Sequence, residues 1–132
     1  MDSKLTLVDS SVLVSFFVEE DSNHESALKY LDPLEEFAIT DYILLEVTTV
    51  LKNKVGLDAA KKAVEFLTEN KNIHFLSLTN EELGGTLKCF FEQKHSISFV
   101  DASLLVMVKQ RGMQIATLDQ NMVKAGKDLA ES

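Results

Sequence analysis

The chain has 132 residues, of which 45% are hydrophobic, and a net charge of −8. It is long enough for one domain with a buried core and too short for two, and its composition does not favour disorder. The negative charge argues against a broad basic surface that holds nucleic acid. No run has the length of a membrane span, and the start MDSKLTLVD lacks the regions of a signal peptide, so we expect a cytoplasmic protein.

Short apolar runs alternate with longer helical patterns along the chain. In chain order the patterns predict strands at 5–8, 36–40, 72–78 and 114–117, and helices at 10–17, 23–33, 41–54, 58–71, 80–94, 98–112 and 120–129. Short, continuously apolar strands separated by helices are typical of a parallel sheet covered on both faces. We therefore predict an α/β fold with a central parallel sheet of about four strands, flanked by helices on both faces.

Glycines and the single cysteine give local predictions. Gly56 lies between two predicted helices and indicates a turn that ends the first of them. Gly84 and Gly85 each weaken the helix 80–94 by about 1 kcal/mol, which favours a close helix contact or a kink there. Cys89 lies in the apolar run LKCFF, so we expect a buried thiol, and a single cysteine excludes intramolecular disulfides.

Two acids follow predicted strands of the sheet. Asp9 comes directly after the strand 5–8, and Asp119 lies two residues beyond the strand 114–117. Open parallel sheets bind ligands outside the carboxyl ends of their strands. A helix follows each acid, however, and Asp is a preferred N-cap residue. Each position therefore has both a ligand-binding and a capping interpretation.

Two further acids lie within predicted helices. Asp101 falls inside the apolar arc of the helix 98–112, where an unpaired carboxylate is costly, yet Ser98 three residues earlier completes a capping-box pattern. Glu46 lies at the margin of the apolar stripe of the helix 41–54, too far along it to be a cap. Its i+3 and i+4 positions are Thr49 and Val50, so no cation of its own helix pairs with it. Asp101 can be both cap and ligand, because a carboxylate has two oxygens.

Together, these four acids would converge above one edge of the sheet. Carboxylates placed so closely repel one another unless cations neutralise them. Hard oxygen ligands select Mg²⁺ or Mn²⁺, and such an ion activates water for in-line attack on a phosphodiester.

Four segments carry a family resemblance. VDSSVLVSFF, LLEVTTVL, SFVDASLL and ATLDQNM resemble, in order and spacing, the acidic motifs of PIN-domain nucleases, and the match covers essentially the whole chain. The resemblance implies a single PIN-like domain over residues 1–132 and a metal-dependent ribonuclease. Small single-domain members are often VapC-type toxins of toxin–antitoxin pairs. Met122 departs from the family pattern, which usually has an aromatic residue at that position.

The resemblance also implies roles for particular residues. Metal binding and catalysis fall to the four acids, and Ser10 and Thr117 match the hydroxyl positions that orient acids or waters. The acids are Asp9, Glu46, Asp101 and Asp119. The resulting expectation is an endoribonuclease dependent on Mg²⁺ or Mn²⁺ that acts on single-stranded or looped RNA, with an antitoxin as a possible partner and no membrane association.

Alternatives and assembly complete the expectations. A module that kept the fold for binding or assembly but lost turnover is the main alternative. An aspartyl-phosphate enzyme using Asp9 is weaker, because Ser11 stands where a second acid is expected. Lysines and arginine after the acidic motifs either rim the site or lie on solvated helix faces.

Homodimerisation is expected as well, since apolar helix positions exceed what one small core needs; these are Ala27, Leu31, Leu44 and Leu51.

Overall fold

A computed structural model describes residues 5–132. This part of the chain forms four strands and seven helices. The strands are β1 (Thr6–Val8), β2 (Phe37–Thr40), β3 (Ile73–Leu76) and β4 (Gln114–Ala116). The helices are α1 (Ser10–Phe17), α2 (His24–Leu31), α3 (Asp41–Lys54), α4 (Leu57–Glu69), α5 (Asn80–Glu92), α6 (Phe99–Arg111) and α7 (Gln120–Glu131).

The four strands form one parallel sheet in the order β3-β2-β1-β4. In the register, Leu7 lies opposite Ala38 on one side and Ile115 on the other. Every residue of β1 and β2 is buried, whereas the edge strands expose positions such as His74 and Gln114. The predicted α/β class and parallel sheet are confirmed, and continuous apolar burial holds only for the two central strands.

Five of the seven helices described begin at a side chain that caps free backbone amides, and α2 and α4 do not. Thr40 caps α3, whereas α5 and α6 each begin with a capping box, in which a hydroxyl and an acid satisfy each other's backbone amides. At the other end, Gly56 (φ 141°) follows α3 and Gly112 (φ 65°) ends α6. These φ values favour glycine, which confirms the turn predicted at Gly56.

Helices α5 and α6 pack closely at one of the two glycines predicted to allow it. A Cβ atom built on Gly85 would lie 3.1 Å from Cγ1 of Val106, whereas one built on Gly84 would meet no atom within 4 Å. The predicted close contact is therefore made at Gly85, and Gly84 faces open space.

The hydrophobic core lies on both faces of the central strands. Ala27, Leu31 and Leu51 are buried in this core by the single chain, and Leu44 is partly buried against it. The prediction that these apolar positions exceed what one core needs is therefore wrong, because they lie in the core of the single chain or pack against it.

Two other sequence-based expectations concern Cys89 and membranes. Cys89 is partly rather than fully buried; this burial raises the pKa of its thiol, and the charge of Glu92 adds to the effect. Within residues 5–132, no helix combines the length and apolar character needed to cross a membrane.

Candidate active site

Asp9 lies at the carboxyl end of β1 and is the most enclosed of the predicted acids, with 3% of its surface exposed. Its amide donates to the carbonyl oxygen of Ala116 (3.1 Å), which ties it to the end of β4. Its Oδ1 accepts from Ser11 Oγ (2.5 Å) and from the amide of Val12 (3.3 Å), and its Oδ2 accepts from Thr117 Oγ1. Asp9 is therefore both the cap of α1 and a carboxylate held on both oxygens.

The pKa of Asp9 is raised above its ordinary value of 3.8. Burial is the main cause, because the charged form loses contact with water. The hydrogen bonds from Ser11, Thr117 and Val12 oppose the rise, and the negative charge of Asp101 adds to it. Asp9 and Asp101 thus lie close enough for their charges to interact.

Asp119 lies on the turn that joins β4 to α7. It is partly buried, and its carboxylate accepts from the amide of Asn121 (2.8 Å), so it caps α7 as the sequence predicts. Its own amide donates to Thr117 Oγ1 (3.1 Å), the same hydroxyl that donates to Asp9. The two strand-end acids are therefore connected through Thr117.

Asp101 lies in the first turn of α6, and Ser98 caps that helix. Asp101 N donates to Ser98 Oγ (3.0 Å), and Ser98 N donates to Asp101 Oδ2 (3.3 Å), which confirms the predicted capping box. α6 leads through Gly112 into the amino end of β4, so the start of α6 lies near the carboxyl end of the sheet. Capping and proximity to the other acids are thus compatible for Asp101.

The charges around Asp101 show which acids the fold brings together. Burial is the main cause of its raised pKa; hydrogen bonds from Ser98 oppose the rise, and the charges of Glu46 and Asp119 increase it. Glu46 is partly buried in the second turn of α3, the helix that follows β2. The charge of Asp101 therefore acts on Asp9, and the charges of Glu46 and Asp119 act on Asp101, so Asp101 is the acid that the fold places near each of the other three.

One of the two hydroxyl groups that contact Asp9 belongs to a different residue from the one that the resemblance suggested. Thr117 contacts Asp9, whereas in the first motif the contact comes from Ser11 and not from the neighbouring Ser10. A signal for Ser11 exists in the sequence, because a Ser two residues after an N-cap Asp is placed to bond locally with it.

Two basic residues of α6 lie at its far end, away from Asp101. Arg111 pairs with Glu82, and Lys109 Nζ donates to the carbonyl oxygen of Leu129 (2.7 Å). At a rise of about 1.5 Å per residue, Arg111 lies roughly 15 Å along the helix from Asp101. These two residues therefore stabilise helix ends and do not rim the acidic site.

The acids approach one another without forming a closed cage. Within residues 5–132, no group of three or more His, Cys, Asp or Glu side chains has the arrangement of an assembled metal centre. What the residues do provide is a set of hard oxygen donors, of which Asp9 is fixed and Glu46, Asp101 and Asp119 are partly accessible.

Comparison with known proteins establishes the family. Residues 6–128 match the PIN domain family, and the chain belongs to it. Among curated proteins, none matches this sequence.

Solved structures share the fold over nearly the whole chain. VapC20 of Mycobacterium tuberculosis, described as a toxin that cleaves the sarcin-ricin loop, is 19% identical with a TM-score of 0.83, covering 92% of this chain and 95% of its own. VapBC2 of Rickettsia felis, solved with a fragment of promoter DNA, is 9% identical (TM-score 0.67, 92% of each chain). FitAcB of Neisseria gonorrhoeae is 15% identical (TM-score 0.66, 93% and 94%). At these identities the likeness is one of fold.

Proposed function

We propose that this protein is an endoribonuclease dependent on Mg²⁺ or Mn²⁺ that hydrolyses RNA phosphodiester bonds. The observation that carries the proposal is the electrostatic interaction among the four acids, in which the charge of Asp101 acts on Asp9 and the charges of Glu46 and Asp119 act on Asp101. Such a cluster is unfavourable in the folded protein unless a cation neutralises it. Membership of the PIN domain family agrees with this function.

A divalent cation fits the donor set. Carboxylate oxygens suit Mg²⁺ and Mn²⁺, and ligands contributed by several separate elements leave room for the waters that these ions retain. Asp9, Asp101 and Asp119 would hold the ion, with Glu46 as a ligand or as the residue that orients a water. When bound, the cation supplies activation of water and neutralisation of charge on the phosphate.

The residues of the chain have distinct tasks in this mechanism. Asp9 provides a fixed carboxylate, because its two oxygens already accept three hydrogen bonds. Thr117 keeps Asp9 and Asp119 in a constant relation. Asp101 is oriented by Ser98, which leaves one carboxylate oxygen free of the capping bonds. The site is thus largely preorganised around Asp9 and completed by the more accessible acids.

Single-stranded or looped RNA is the proposed substrate, because its backbone is accessible to a site at a sheet edge. The role we propose is that of a toxin paired with an antitoxin protein, which is supported by the similarity of fold to VapC20 and VapBC2. Self-association as a homodimer remains part of the proposal. Its support is the apolar surface exposed elsewhere, including Leu45 (64%) and Phe91 (78%), and not the helix positions that the core uses.

RNA cleavage with matched variants tests the proposal. Purified protein is incubated with a labelled oligonucleotide of the sarcin-ricin loop and with bacterial ribosomal RNA, in Mn²⁺, in Mg²⁺ and in EDTA. We expect cleavage that EDTA abolishes and that Asp119→Asn removes. Asp128→Asn is the control, because Asp128 lies in α7, the helix that Asp119 caps, and pairs with His95 outside the site, and because the substitution makes the same change of charge.

The same assay decides against the binding-module alternative. A module without turnover would bind these RNAs in Mn²⁺ but release no fragments, and Asp119→Asn would leave its behaviour unchanged. Cleavage of equal rate by the wild type and by Asp119→Asn would contradict the assignment of the acids.

A further inference from the structure

The hydroxyl of Ser11 joins two turns that are far apart in sequence and lie side by side at the carboxyl end of the sheet. Ser11 Oγ donates to Asp9 Oδ1 (2.5 Å) in the turn after β1, and it accepts from the amide of Leu118 (3.0 Å) in the turn after β4. A serine hydroxyl has a single proton. Because the Leu118 amide occupies the acceptor side of this hydroxyl, the proton is directed at Asp9.

Thr117 repeats this arrangement on the other oxygen of Asp9. Its hydroxyl donates to Asp9 Oδ2 and accepts from the amide of Asp119 (3.1 Å). Consecutive amides of one turn, those of Leu118 and Asp119, therefore fix two hydroxyls that hold one carboxylate. The turn that carries Asp119 and the turn that carries Asp9 are linked at two points.

From this geometry, we propose that Ser11 is a positioning residue that holds Asp9 and Asp119 in the relation needed to bind the divalent cation. This inference rests on the proposed function. Ser11 touches neither substrate nor cation in it; it acts through the Asp9 carboxylate and the Leu118 amide. Without the hydroxyl, Asp9 Oδ1 keeps only the longer bond from the Val12 amide (3.3 Å), and the Leu118 amide loses its acceptor.

The test compares Ser11→Ala with Ser15→Ala. Ser15 is buried and lies in the same helix, α1. Its hydroxyl donates a hydrogen bond to the carboxylate of Asp21 (3.2 Å), which lies outside the site. Both substitutions therefore remove one Ser–Asp hydrogen bond from α1. Only Ser11→Ala removes a bond that reaches the acidic site.

Hydrogen exchange in the absence of metal provides the first measurement. We expect the Leu118 amide to exchange about tenfold faster in Ser11→Ala than in the wild type, because its acceptor is gone, and to be unchanged in Ser15→Ala. Ser11→Thr, which keeps the hydroxyl, should restore the protection. An unchanged Leu118 rate in Ser11→Ala, or equal loss in the Ala and Thr variants, would overturn the inference.

Thermal melting over a series of Mn²⁺ concentrations provides the second measurement. In Ser11→Ala, the Mn²⁺ concentration at half of the maximal rise in Tm should increase about tenfold or more, as is typical when a residue supporting a metal ligand is lost. Ser15→Ala should lower Tm without moving this midpoint. An unmoved midpoint in Ser11→Ala would overturn the inference, whereas a wild type without any response to Mn²⁺ would overturn the proposed function, and the exchange rates would still decide whether Ser11 links the turns.

Discussion

Helices α5 and α6 begin with the same local motif but place its acid in opposite electrostatic surroundings. In α5, Thr79 N donates to Glu82 Oε1 (2.9 Å) and Glu82 N donates to Thr79 Oγ1 (3.1 Å); in α6, Ser98 and Asp101 exchange the same two bonds. Yet the pKa of Glu82 is lowered to about 2, and that of Asp101 is raised.

The cause of this difference lies in what the fold brings to each acid. Arg111 donates to Glu82 through Nε (2.6 Å) and Nη2 (2.7 Å), and this paired guanidinium favours the charged carboxylate. Asp101 instead faces burial and the negative charges of Glu46 and Asp119. One acid is neutralised within the protein and the other is not, which makes Asp101 the candidate for an external cation. A capping motif therefore predicts where a helix begins and leaves the further role of its acid open.

The largest effect that we expect is on RNA cleavage. Asp101→Asn keeps an oxygen for the Ser98 amide but loses the charge that binds the cation, so metal-dependent cleavage should fall by about 100-fold or more. Glu82→Gln makes the same change in the other capping box and should cleave at nearly the wild-type rate below its melting temperature. Initial rates in Mn²⁺ measure both. Equal losses of cleavage in the two variants would contradict the different roles assigned to the acids of the two capping boxes.

The second effect is on stability, where Glu82→Gln, and not Asp101→Asn, should show the loss. Glu82 is buried (3% exposed), and Glu82→Gln leaves one acceptor oxygen where the carboxylate has two. One bond from Arg111 is therefore lost and the other loses the negative charge of its acceptor, so the free energy of unfolding should fall by about 2 kcal/mol. The wild-type contribution is complete above the ordinary Glu pKa of 4.5 and is lost as the pH falls towards 2. Urea unfolding at pH 7 and pH 3 should show a smaller difference at pH 3. A difference independent of pH would contradict the pairing.

The sequence predicts the parts of this contrast that are local. The hydroxyl and acid three residues apart locate the start of α6, and Thr79 and Glu82 have the same spacing at the start of α5. The strand-end positions of Asp9 and Asp119 follow from the alternation of strands and helices. The pairing of Glu82 with Arg111 spans 29 residues and depends on how α6 packs on α5. No local pattern encodes that contact, and the sequence alone assigns Arg111 only to the rim of the site or to a solvated helix face.

Ser11 and the helix positions expected at a dimer surface also depend on contacts between distant parts of the chain, which local patterns do not predict. The bond of Ser11 to Asp9 is local and has a signal in the sequence, but its bond to Leu118 joins residues 107 apart. Ala27, Leu31 and Leu51 fit an apolar helix face equally well in a core or at an interface, and only the packing of the whole chain assigns them to the core.

The third effect is smaller and concerns the metal-free protein. Asp101→Asn removes repulsion from Glu46 and Asp119, so the variant should be more stable than the wild type by about 1 kcal/mol at pH 7, or roughly 3 to 5 °C in Tm. Because the folded-state pKa of Asp101 is raised, the wild type gains stability as the pH falls through that value, and the advantage of Asn should vanish below pH 3.8.

Added metal separates this effect from simple capping. With Mn²⁺ at about ten times its Kd, the wild type should gain about 1.4 kcal/mol and overtake Asp101→Asn. Glu46→Gln has no cap to lose and is the cleanest companion, since Glu46 lies in the second turn of α3. Melting curves in EDTA and in millimolar Mn²⁺ measure both variants. If Glu46→Gln neither raises Tm in EDTA nor reduces the rise in Mn²⁺, Glu46 does not belong to the site.

The smallest effect tests the helix contact that brings Arg111 to Glu82. Gly84→Ala adds a methyl group in open space and should stabilise α5 by up to about 1 kcal/mol, because Ala has the higher helix propensity. Gly85→Ala gains the same propensity, but its Cβ would lie 3.1 Å from Val106 Cγ1 and 3.2 Å from Gln110 Nε2, so these two residues of α6 must move away by a few tenths of an ångström. We expect Gly85→Ala to be less stable than Gly84→Ala by about 1 kcal/mol in urea unfolding. Since a shift of α6 also moves Arg111, Gly85→Ala should weaken the pH dependence assigned to Glu82, whereas Gly84→Ala should leave it intact. Equal stabilities of the two variants would mean that α5 and α6 are not in close contact at Gly85.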